Sequence, residues 1–370
     1  MILMNIKLDN FLIFNDFELC TSYPKKIVGS GIGEEHLEGK PNFRYKKLVV
    51  LMGANATGKT ALGHILMAIF KFISNKEYNA ITNYIEDKTK KAYFAIDLVF
   101  GSTELYRIAA TINGIDKKSS FSSNDISVIV KRVDILSNDN YERCVDRMNN
   151  IPEEKNDNYI TTLEQVPTLS WGFEFPTDFF ISYHAFDKPM EYHKVLRRTL
   201  MTLDPRIKDV TMVENDVDTF LIQYPNCNVL INRGIILTSE ILSSGTKEGI
   251  GIAELIASMK VRYADFYYCD EKFSHIHSEA EKAFLSLLID LIGPNQQLFM
   301  TTHNSDILDM DIPKHSFAFL RRDEMDGNHI SCVFASEYLK KNTDSLKNAV
   351  ENDVFSASPD ISGIYKLKDI

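Results

Sequence analysis

Apolar positions near the start of the chain follow the period of β-strands. Residues 3–9 alternate loosely between apolar and polar, and residues 11–19 continue as an apolar, aromatic-rich stretch. This pattern predicts two β-strands joined near Asn10 or Asn15. Residues 47–52, with the sequence KLVVLM, form a continuous run that is typical of a buried strand.

The period then changes to that of a helix. From Thr60 to about Ser74 apolar residues recur at intervals of three and four, which predicts an amphipathic helix. Three later stretches, residues 92–100, 105–112 and 126–133, have strand-type composition with turn signals between them. They predict an antiparallel β-meander on the flank of a sheet.

The second half of the chain alternates between strand and helix patterns. Residues 266–269 and 298–301 are short apolar runs of strand type, and residues 278–292 between them have helical periodicity. A strand–helix–strand order predicts a parallel sheet. Before these elements, residues 137–165 predict a loop with a short helix, and residues 187–261 predict a mixed, mostly helical segment.

Composition narrows the class of protein. The chain has 370 residues, of which 44% are hydrophobic and 25% charged, a balance that excludes a disordered or fibrous chain. The net charge of −10 argues against a surface that binds nucleic acid throughout, but it is compatible with a local basic groove. No apolar run approaches the roughly 18–20 residues of a membrane span, no secretory signal opens the chain, and the cysteines form no CxxC pair. We therefore expect a cytoplasmic protein with reduced thiols and no membrane association.

The strongest chemical signal lies between the predicted buried strand and the amphipathic helix. Residues 53–60, GANATGKT, match the phosphate-loop pattern GxxxxGK[ST] in its expected strand–loop–helix context. Glycines let the backbone fold around phosphate oxygens, and the helix start presents N–H groups to an anion. Lys59 is placed to neutralise the β- and γ-phosphates, and the Thr60 hydroxyl to bind Mg²⁺. The residues predicted to hold the nucleotide are Gly53, Asn55, Ala56, Thr57, Gly58, Lys59, Thr60 and Ala61.

Two adjacent acids end the next core strand. Residues 266–271 read FYYCDE, an apolar strand followed by Asp270 and Glu271. Asp270 at a strand end is suited to the Mg²⁺ shell, and Glu271 to polarising an attacking water as a general base. The competing interpretation is that these residues are the N-cap and an acid in the first turn of a helix, where the helix dipole favours a negative charge. The phosphate loop upstream favours the role in Mg²⁺ binding and catalysis over this interpretation.

Two further segments have polar groups where an anion could bind. Residues 298–303, LFMTTH, deliver His303 to the end of a strand, where parallel α/β sheets bind ligands. Residues 242–248, LSSGTKE, open a helix with small and hydroxyl-bearing residues, Ser243, Ser244 and Gly245. Such a helix start is an anion cup or an ordinary N-cap, and its sequence alone does not separate the two.

The order of these four segments resembles that of the ABC/SMC/RecF superclass of ATPases. The resemblance is closest to the single-chain ATPases of prokaryotic antiphage and abortive-infection systems, related to RloA and to the ATPase half of OLD proteins. Residues 47–60 resemble their Walker A segment, residues 242–248 their LSSGT signature, residues 266–278 Walker B with its D-loop, and residues 298–309 the switch-histidine segment. Weaker similarities lie at residues 10–11 and 358–360.

The resemblance implies a fold. It is an α/β P-loop NTPase of the ABC/SMC-like type, with a mixed central sheet, an antiparallel β flank and a helical lobe that carries the signature. Residues 1–186 and 262–370 would form the two parts of the ATPase lobe. Residues 187–261 would form the helical lobe.

The resemblance also implies a mechanism, in which ATP and Mg²⁺ are the cofactors. Two ATP molecules would be buried at the interface of a head-to-tail homodimer. The signature residues that would contact the partner subunit's nucleotide are Ser243, Ser244 and Gly245. The residues that would act on the subunit's own nucleotide are Lys59, Glu271 and His303 in catalysis, with Thr60 and Asp270 as Mg²⁺ ligands.

The chain departs from the family pattern in the region of the acids. Lys272 follows the predicted base, where a proline or an apolar residue is more usual. No glutamine is placed to link the two lobes after the strand predicted at residues 178–183, and residues 184–187 are the expected location of this link. His275 and His277 could be a metal pair, but no third ligand is in view, so contacts at the dimer interface are favoured.

The predicted function is that of an ATPase which regulates a separate effector, a nuclease or a toxin, in a prokaryotic antiphage defence or toxin–antitoxin system. Residues 306–370 show no cluster of acids of the kind that would make a nuclease domain, which OLD-type chains carry at this end. A DNA-repair or chromosome-maintenance ATPase of SMC/RecF type is one alternative, against which stands the lack of a coiled-coil arm and of a strong basic patch. The nucleotide-binding subunit of an ABC transporter is the other, against which stands the long gap between Gly53 and Ser243.

Overall fold

The structure is a computed structural model that divides into two compact units. It describes residues 1–27, 29–153, 158–176, 188–213, 216–232, 235–237, 239–323, 329–341, 343–358, 362–365 and 367. Unit 1 comprises residues 1–169 and 311–370, and unit 2 comprises residues 170–310.

Both units contain β-strands and α-helices. The strands are β1 (Ile2–Asp9), β2 (Phe17–Cys20), β3 (His36–Leu37), β4 (Lys40–Arg44), β5 (Leu48–Met52), β6 (Ala92–Phe100), β7 (Glu104–Ile112), β8 (Ile126–Asp134), β9 (Trp171–Glu174), β10 (Asp209–Val213), β11 (Asp216–Gln223), β12 (Asn228–Asn232), β13 (Ile235–Leu237), β14 (Phe266–Cys269), β15 (Gln297–Thr301), β16 (Phe317–Asp323) and β17 (His329–Phe334). The helices are α1 (Lys59–Asn75), α2 (Asn79–Thr82), α3 (Tyr141–Asn149), α4 (Tyr159–Leu163), α5 (Pro189–Leu203), α6 (Ser244–Lys260), α7 (Ser278–Leu291), α8 (Ala335–Tyr338), α9 (Leu346–Glu351) and α10 (Ser362–Tyr365).

Unit 1 contains a five-stranded antiparallel sheet with the order β2-β1-β6-β7-β8. The strands β6, β7 and β8 run in continuous register from Ala92↔Ile112 to Glu104↔Asp134. This confirms the predicted meander and the predicted pairing of the first two strands. Residues 29–33 form no regular secondary structure.

A second part of unit 1 positions the phosphate loop. Strand β5 is buried at all five positions, pairs in parallel with β16, and β16 pairs antiparallel with β17, so this part of the sheet is mixed. Helix α1 begins at Lys59, directly after the loop, and buries the predicted apolar face. The buried strand and the buried helix face hold both ends of the loop in place.

Unit 2 contains three parallel strands in the order β9-β14-β15. Helix α7 connects β14 to β15, and the register aligns Phe266 with Gln297 and Cys269 with Met300. The prediction of a parallel sheet from the strand–helix–strand order is confirmed for this pair. The same edge of this sheet receives the residues that follow β14 and β15.

The segment predicted to be mixed and mostly helical, residues 187–261, contains two helices as expected but also a sheet that was not predicted. Between helices α5 and α6 it forms a four-stranded antiparallel sheet, β10-β11-β12-β13. The two helices and the inner face of the sheet share one hydrophobic core, which includes Tyr192, Leu196, Phe220, Ile231 and Ile250. The strands are only partly buried, and turns and polar residues interrupt their period-two pattern. The sequence therefore gives only a weak signal for this sheet.

The remaining predictions concern residues 137–165, residues 178–187, the division of the chain into lobes, and membrane spans. Residues 137–165 contain two helices, α3 and α4, where one was expected. The strand predicted at residues 178–183 and the link expected at residues 184–187 lie outside the described residues. The division of the chain at residues 186 and 261 stays a prediction. None of the helices in the described part of the chain combines the length and the hydropathy that a membrane span requires.

Candidate functional site

The phosphate loop of unit 1 has the backbone conformation that anion binding needs. Gly53, Ala56 and Gly58 all have positive φ angles, of 147°, 62° and 101°. A loop that turns through left-handed residues directs successive N–H groups into one concave surface. The start of α1 adds the N–H groups of its first turn and the positive end of the helix dipole. Asn55, Ala56 and Thr60 are exposed, and Ala61 is half-buried.

The loop leaves no room for side chains at its glycines. A Cβ on Gly53 would lie 2.5 Å from the backbone oxygen of Leu320, which belongs to β16. A Cβ on Gly58 would lie 2.8 Å from Ile13 Cδ1 and 3.0 Å from Phe14 Cζ, in the turn between β1 and β2. Gly53 is therefore required by packing against backbone as well as by its φ angle, whereas at Gly58 the φ angle is the stronger constraint.

Lys59 and Thr57 fold back onto the loop. The Lys59 ammonium group donates to the carbonyl oxygens of Gly53 (2.9 Å) and Ala54 (3.2 Å), and the Thr57 hydroxyl donates to Ala54 O at 2.8 Å. Both side chains are buried. The cation is thus held at the mouth of the loop, where phosphate oxygens could take the place of the carbonyls.

A segment near the end of the chain braces the first residue after Gly53. The backbone N–H of Ala54 donates to Ala357 O at 3.0 Å. This turn is anchored by Phe355, whose ring stacks on Phe319 of β16 with a centroid distance of 4.1 Å and an interplanar angle of 4°. The carboxylate of Asp353 accepts from the backbone N–H of Ala357 at 2.9 Å and closes the turn.

In unit 2, a threonine holds the two acids that follow β14. The hydroxyl of Thr301, the last residue of β15, donates to Asp270 Oδ1 at 2.7 Å and accepts from the backbone N–H of Glu271 at 2.9 Å. Asp270 is fully buried, and Glu271 has a φ of 44°. A left-handed glutamate is uncommon, so the contact with Thr301 fixes the direction in which its side chain leaves the strand.

Glu271 and His303 form a close pair at the edge of the parallel strands. Glu271 Oε1 lies 2.7 Å from His303 Nε2, and the two side chains are 27% and 42% exposed. They open into a cleft of about 340 Å³. The sequence placed both residues at strand ends, and the structure brings them into hydrogen-bond contact.

The segment that carries His303 is tied to α7 by a buried carboxylate. Glu281 accepts from the Thr302 hydroxyl at 2.9 Å and from the Asn304 side-chain amide at 2.7 Å. Burial raises the pKa of Glu281 above its ordinary value, against the lowering effect of these two donors. The histidine is thus carried on a backbone fixed on both sides.

The predicted signature segment is a capped helix start. The hydroxyl of Ser243 accepts from Thr246 N at 3.1 Å, which caps α6. The Thr246 hydroxyl reaches the buried carboxylate of Asp204 at 3.2 Å. A hydrogen bond from Arg206 is the largest cause that lowers the pKa of Asp204, to about 2. Ser243 and Ser244 are exposed and Gly245 is half-buried in the first turn.

Lys272, the unusual residue after the predicted base, is buried beneath α6. Its side chain is 2% exposed, its ammonium group donates to Phe175 O at 3.0 Å, and it lies 3.3 Å from Glu174 Oε2. A Cβ on Gly251 of α6 would lie 2.3 Å from Lys272 Cε. A glycine in the helix therefore makes room for the buried lysine side chain.

The two histidines of the following turn have different partners. His275 Nδ1 lies 2.5 Å from Glu248 Oε1, whereas His277 Nδ1 accepts from Glu279 N at 3.2 Å and caps α7. Among the described residues, no group of three or more His, Cys, Asp or Glu side chains is placed to hold a metal ion. Glu248 and Thr301 were not singled out from the sequence, and the only local signal for Thr301 is its place directly before Thr302 and His303.

Comparisons with known proteins bear on the fold. No protein-family profile and no curated protein matches the sequence. Among solved structures, an SMC head bound to the C-winged helix domain of ScpA has a TM-score of 0.52 at 14% identity, covering 94% of this chain and 100% of that one. An SMC head domain from Thermotoga maritima scores 0.44 at 14% identity, with 90% and 99% of the two chains covered. An SMC head with an extended coiled coil, bound to the C-terminal domain of ScpA from Pyrococcus furiosus, scores 0.49 at 11% identity, with 95% and 98% covered.

Sequence identities this low are informative about the fold and not about the activity. Only the first of these TM-scores is high enough to support an argument about the fold. Unit 1 has mixed strands and an antiparallel flank and unit 2 has parallel strands, as the fold class expected from the sequence requires. The chain therefore has an α/β fold similar to that of this SMC head domain.

Proposed function

We propose that the chain is a Mg²⁺-dependent ATPase that forms an ATP-sandwiched, head-to-tail dimer. The observation that carries the proposal is the pair of Glu271 and His303, 2.7 Å apart at the ends of parallel strands. Parallel α/β sheets bind ligands at this edge, and a carboxylate beside an imidazole is suited to moving a proton from water. The full phosphate-loop match supplies the substrate class.

In this proposal unit 1 binds the triphosphate. Backbone N–H groups of the loop and of the first turn of α1 hydrogen-bond the phosphate oxygens. Lys59 exchanges its carbonyl partners for the β- and γ-phosphates and neutralises their charge. Asn55, Ala56 and Thr57 shape the loop that surrounds them.

The residues present fit a magnesium ion. Asp270 offers a carboxylate, the ligand type that Mg²⁺ prefers, and Thr301 orients it. Thr60 offers an exposed hydroxyl at the first turn of α1. We propose that these two residues hold the ion, which when bound would neutralise charge on the phosphates.

Glu271 is the proposed general base and His303 its partner. Glu271 orients the attacking water and takes its proton, and its position is held by the Thr301 hydroxyl. His303 hydrogen-bonds Glu271 and, as the resemblance implies, senses the γ-phosphate. Ser243, Ser244 and Gly245 are the proposed contacts to the partner subunit's nucleotide.

The proposed biological role is control of a separate effector, a nuclease or a toxin, in a prokaryotic defence or toxin–antitoxin system. The support for this role is the LSSGT signature with the short turn after the acids. A second candidate is a chromosome-maintenance ATPase, which the likeness to an SMC head bound to a ScpA domain favours. DNA that stimulates hydrolysis in proportion to its length would support the second candidate and count against the first.

The experiment is a pair of substitutions with matched controls. Lys59→Ala is expected to abolish ATP binding, because the phosphate charge loses its cation, whereas Lys71→Ala on the exposed side of α1 is expected to bind normally. Glu271→Gln is expected to bind ATP, to stop hydrolysis and to accumulate a dimer on gel filtration with ATP. Glu279→Gln controls for the loss of one carboxylate in unit 2. Hydrolysis by Glu271→Gln at the parent rate would show that another residue is the base.

A further inference from the structure

One face of α6 is fitted against the turn that follows the two acids. Gly245, Glu248 and Gly251 are spaced by three residues and so lie on the same side of the helix. A Cβ on Gly245 would lie 2.9 Å from His275 O, and a Cβ on Gly251 would lie 2.3 Å from Lys272 Cε. The two glycines allow this close approach, and the one large side chain between them is Glu248.

Glu248 binds the turn with both carboxylate oxygens. Oε2 accepts from the backbone N–H of His275 at 2.8 Å, and Oε1 lies 2.5 Å from His275 Nδ1 and 3.1 Å from the Ser274 hydroxyl. The carboxylate is 6% exposed, so its hydrogen bonds are made away from water. A buried carboxylate with three donors holds its neighbours in one arrangement.

The same turn leads directly to Glu271. The Ser274 hydroxyl has a single proton, which is shared between Glu271 O at 2.8 Å and Glu248 Oε1 at 3.1 Å, so one hydroxyl bridges the two residues. The N–H of Glu271 is held by Thr301, and its carboxylate by His303. A continuous set of hydrogen bonds therefore runs from the signature helix to the backbone and the side chain of Glu271.

We propose that Glu248 is a positioning residue that couples the signature helix to Glu271 within one subunit. The inference rests on the proposed function, in which the start of α6 contacts the partner's nucleotide and Glu271 acts on its own. Glu248 lies about one helical turn beyond Gly245, and a helix moves as a rigid body over that length. Engagement of the partner's nucleotide by the signature thus sets the position of the base, which makes hydrolysis depend on dimer closure.

The test compares Glu248→Gln, His275→Ala and His275→Asn in steady-state hydrolysis. Gln presents N–H groups where Glu248 accepts hydrogen bonds, so kcat is expected to fall by about tenfold or more, which corresponds to about 1.4 kcal/mol of barrier. His275→Ala is also expected to lower kcat, because Glu248 loses the Nδ1 donor. His275→Asn is expected to restore it, because the asparagine side-chain N–H can replace Nδ1–H as donor to Glu248. KM for ATP and ATP-dependent dimerisation are expected to stay at the parent values.

The controls separate the possible failures. Asp290→Asn, an exposed carboxylate-to-amide change on α7, is expected to leave kcat unchanged. The His275 side chain is 57% exposed, so its loss tests the contact even if Glu248→Gln does not fold. Parent kcat in both Glu248→Gln and His275→Ala, or a change in KM alone, overturns the coupling and leaves the ATPase proposal standing. A parent protein that does not hydrolyse ATP and binds it no better than Lys59→Ala does refutes the proposed function and the coupling together.

Discussion

Gly251→Ala tests how tightly the signature helix is packed over Lys272. The added Cβ would lie 2.3 Å from Lys272 Cε and 2.7 Å from its Nζ. Ordinary contact between carbon atoms is about 3.5–4.0 Å, so the lysine or the helix must move by more than about 1 Å. Lys272 cannot simply swing into solvent, because it is 2% exposed and bound to Glu174 and Phe175.

The expected change in the free energy of unfolding combines one stabilising effect and two destabilising effects. Alanine in place of a helical glycine favours folding by about 1 kcal/mol. Inserting a methyl group into a packed interior costs about 1–3 kcal/mol, and separating the lysine from its carboxylate adds to this, up to about 3–5 kcal/mol for a fully broken buried pair. We therefore expect Gly251→Ala to lower the free energy of unfolding by about 1–3 kcal/mol in total.

Urea denaturation of four proteins measures this effect: the parent, Gly251→Ala, Lys272→Ala and the double variant. If Lys272 is the obstacle, Gly251→Ala is expected to be neutral or stabilising by up to about 1 kcal/mol once the lysine is removed, which gives a coupling of about 1–4 kcal/mol. An equal cost of Gly251→Ala in both backgrounds, or a stabilised single variant, refutes the reasoning about the close approach of helix and lysine.

Two further predictions concern unit 1. Burial lowers the pKa of Lys46 to about 8. Between pH 8 and 10 the unfolded state therefore binds more protons than the folded state, and the free energy of unfolding should rise with pH there by about 2–3 kcal/mol. Lys46→Met should remove this rise in denaturation experiments at pH 7.5 and 10, and an unchanged slope would contradict the assignment. Asp353→Ala should free the turn that holds Ala54, weaken ATP binding several-fold and speed amide hydrogen exchange at Ala54, with little change in Tm. Asp353→Asn keeps the accepting oxygen and should behave as the parent, and equal exchange at Ala54 in all three proteins would show that the turn does not brace the loop.

Much of the local structure could be predicted from the sequence, because it depends on period and on backbone chemistry. The run at residues 48–52 and the spacing from residue 60 onward indicated β5 and α1, and the structure agrees within one or two residues. The strands β6, β7 and β8 and the β14-α7-β15 unit were predicted for the same reason. The sheet β10-β11-β12-β13 was not predicted, because its strands are only partly buried and are separated by turns. The alternation of apolar and polar residues along them is therefore weak.

The candidate site shows the same division. The sequence by itself determined which residues end strands or begin helices, and so which backbone N–H groups, acids and imidazoles are presented together. Only the tertiary structure decided that Thr301 orients both acids, that Gly251 makes room for Lys272, and that Glu248 binds the turn at His275. These partners stand between 21 and 31 residues apart, as in Asp270 with Thr301. No periodicity records such distances, because which side chains meet is settled by how the finished elements pack against one another.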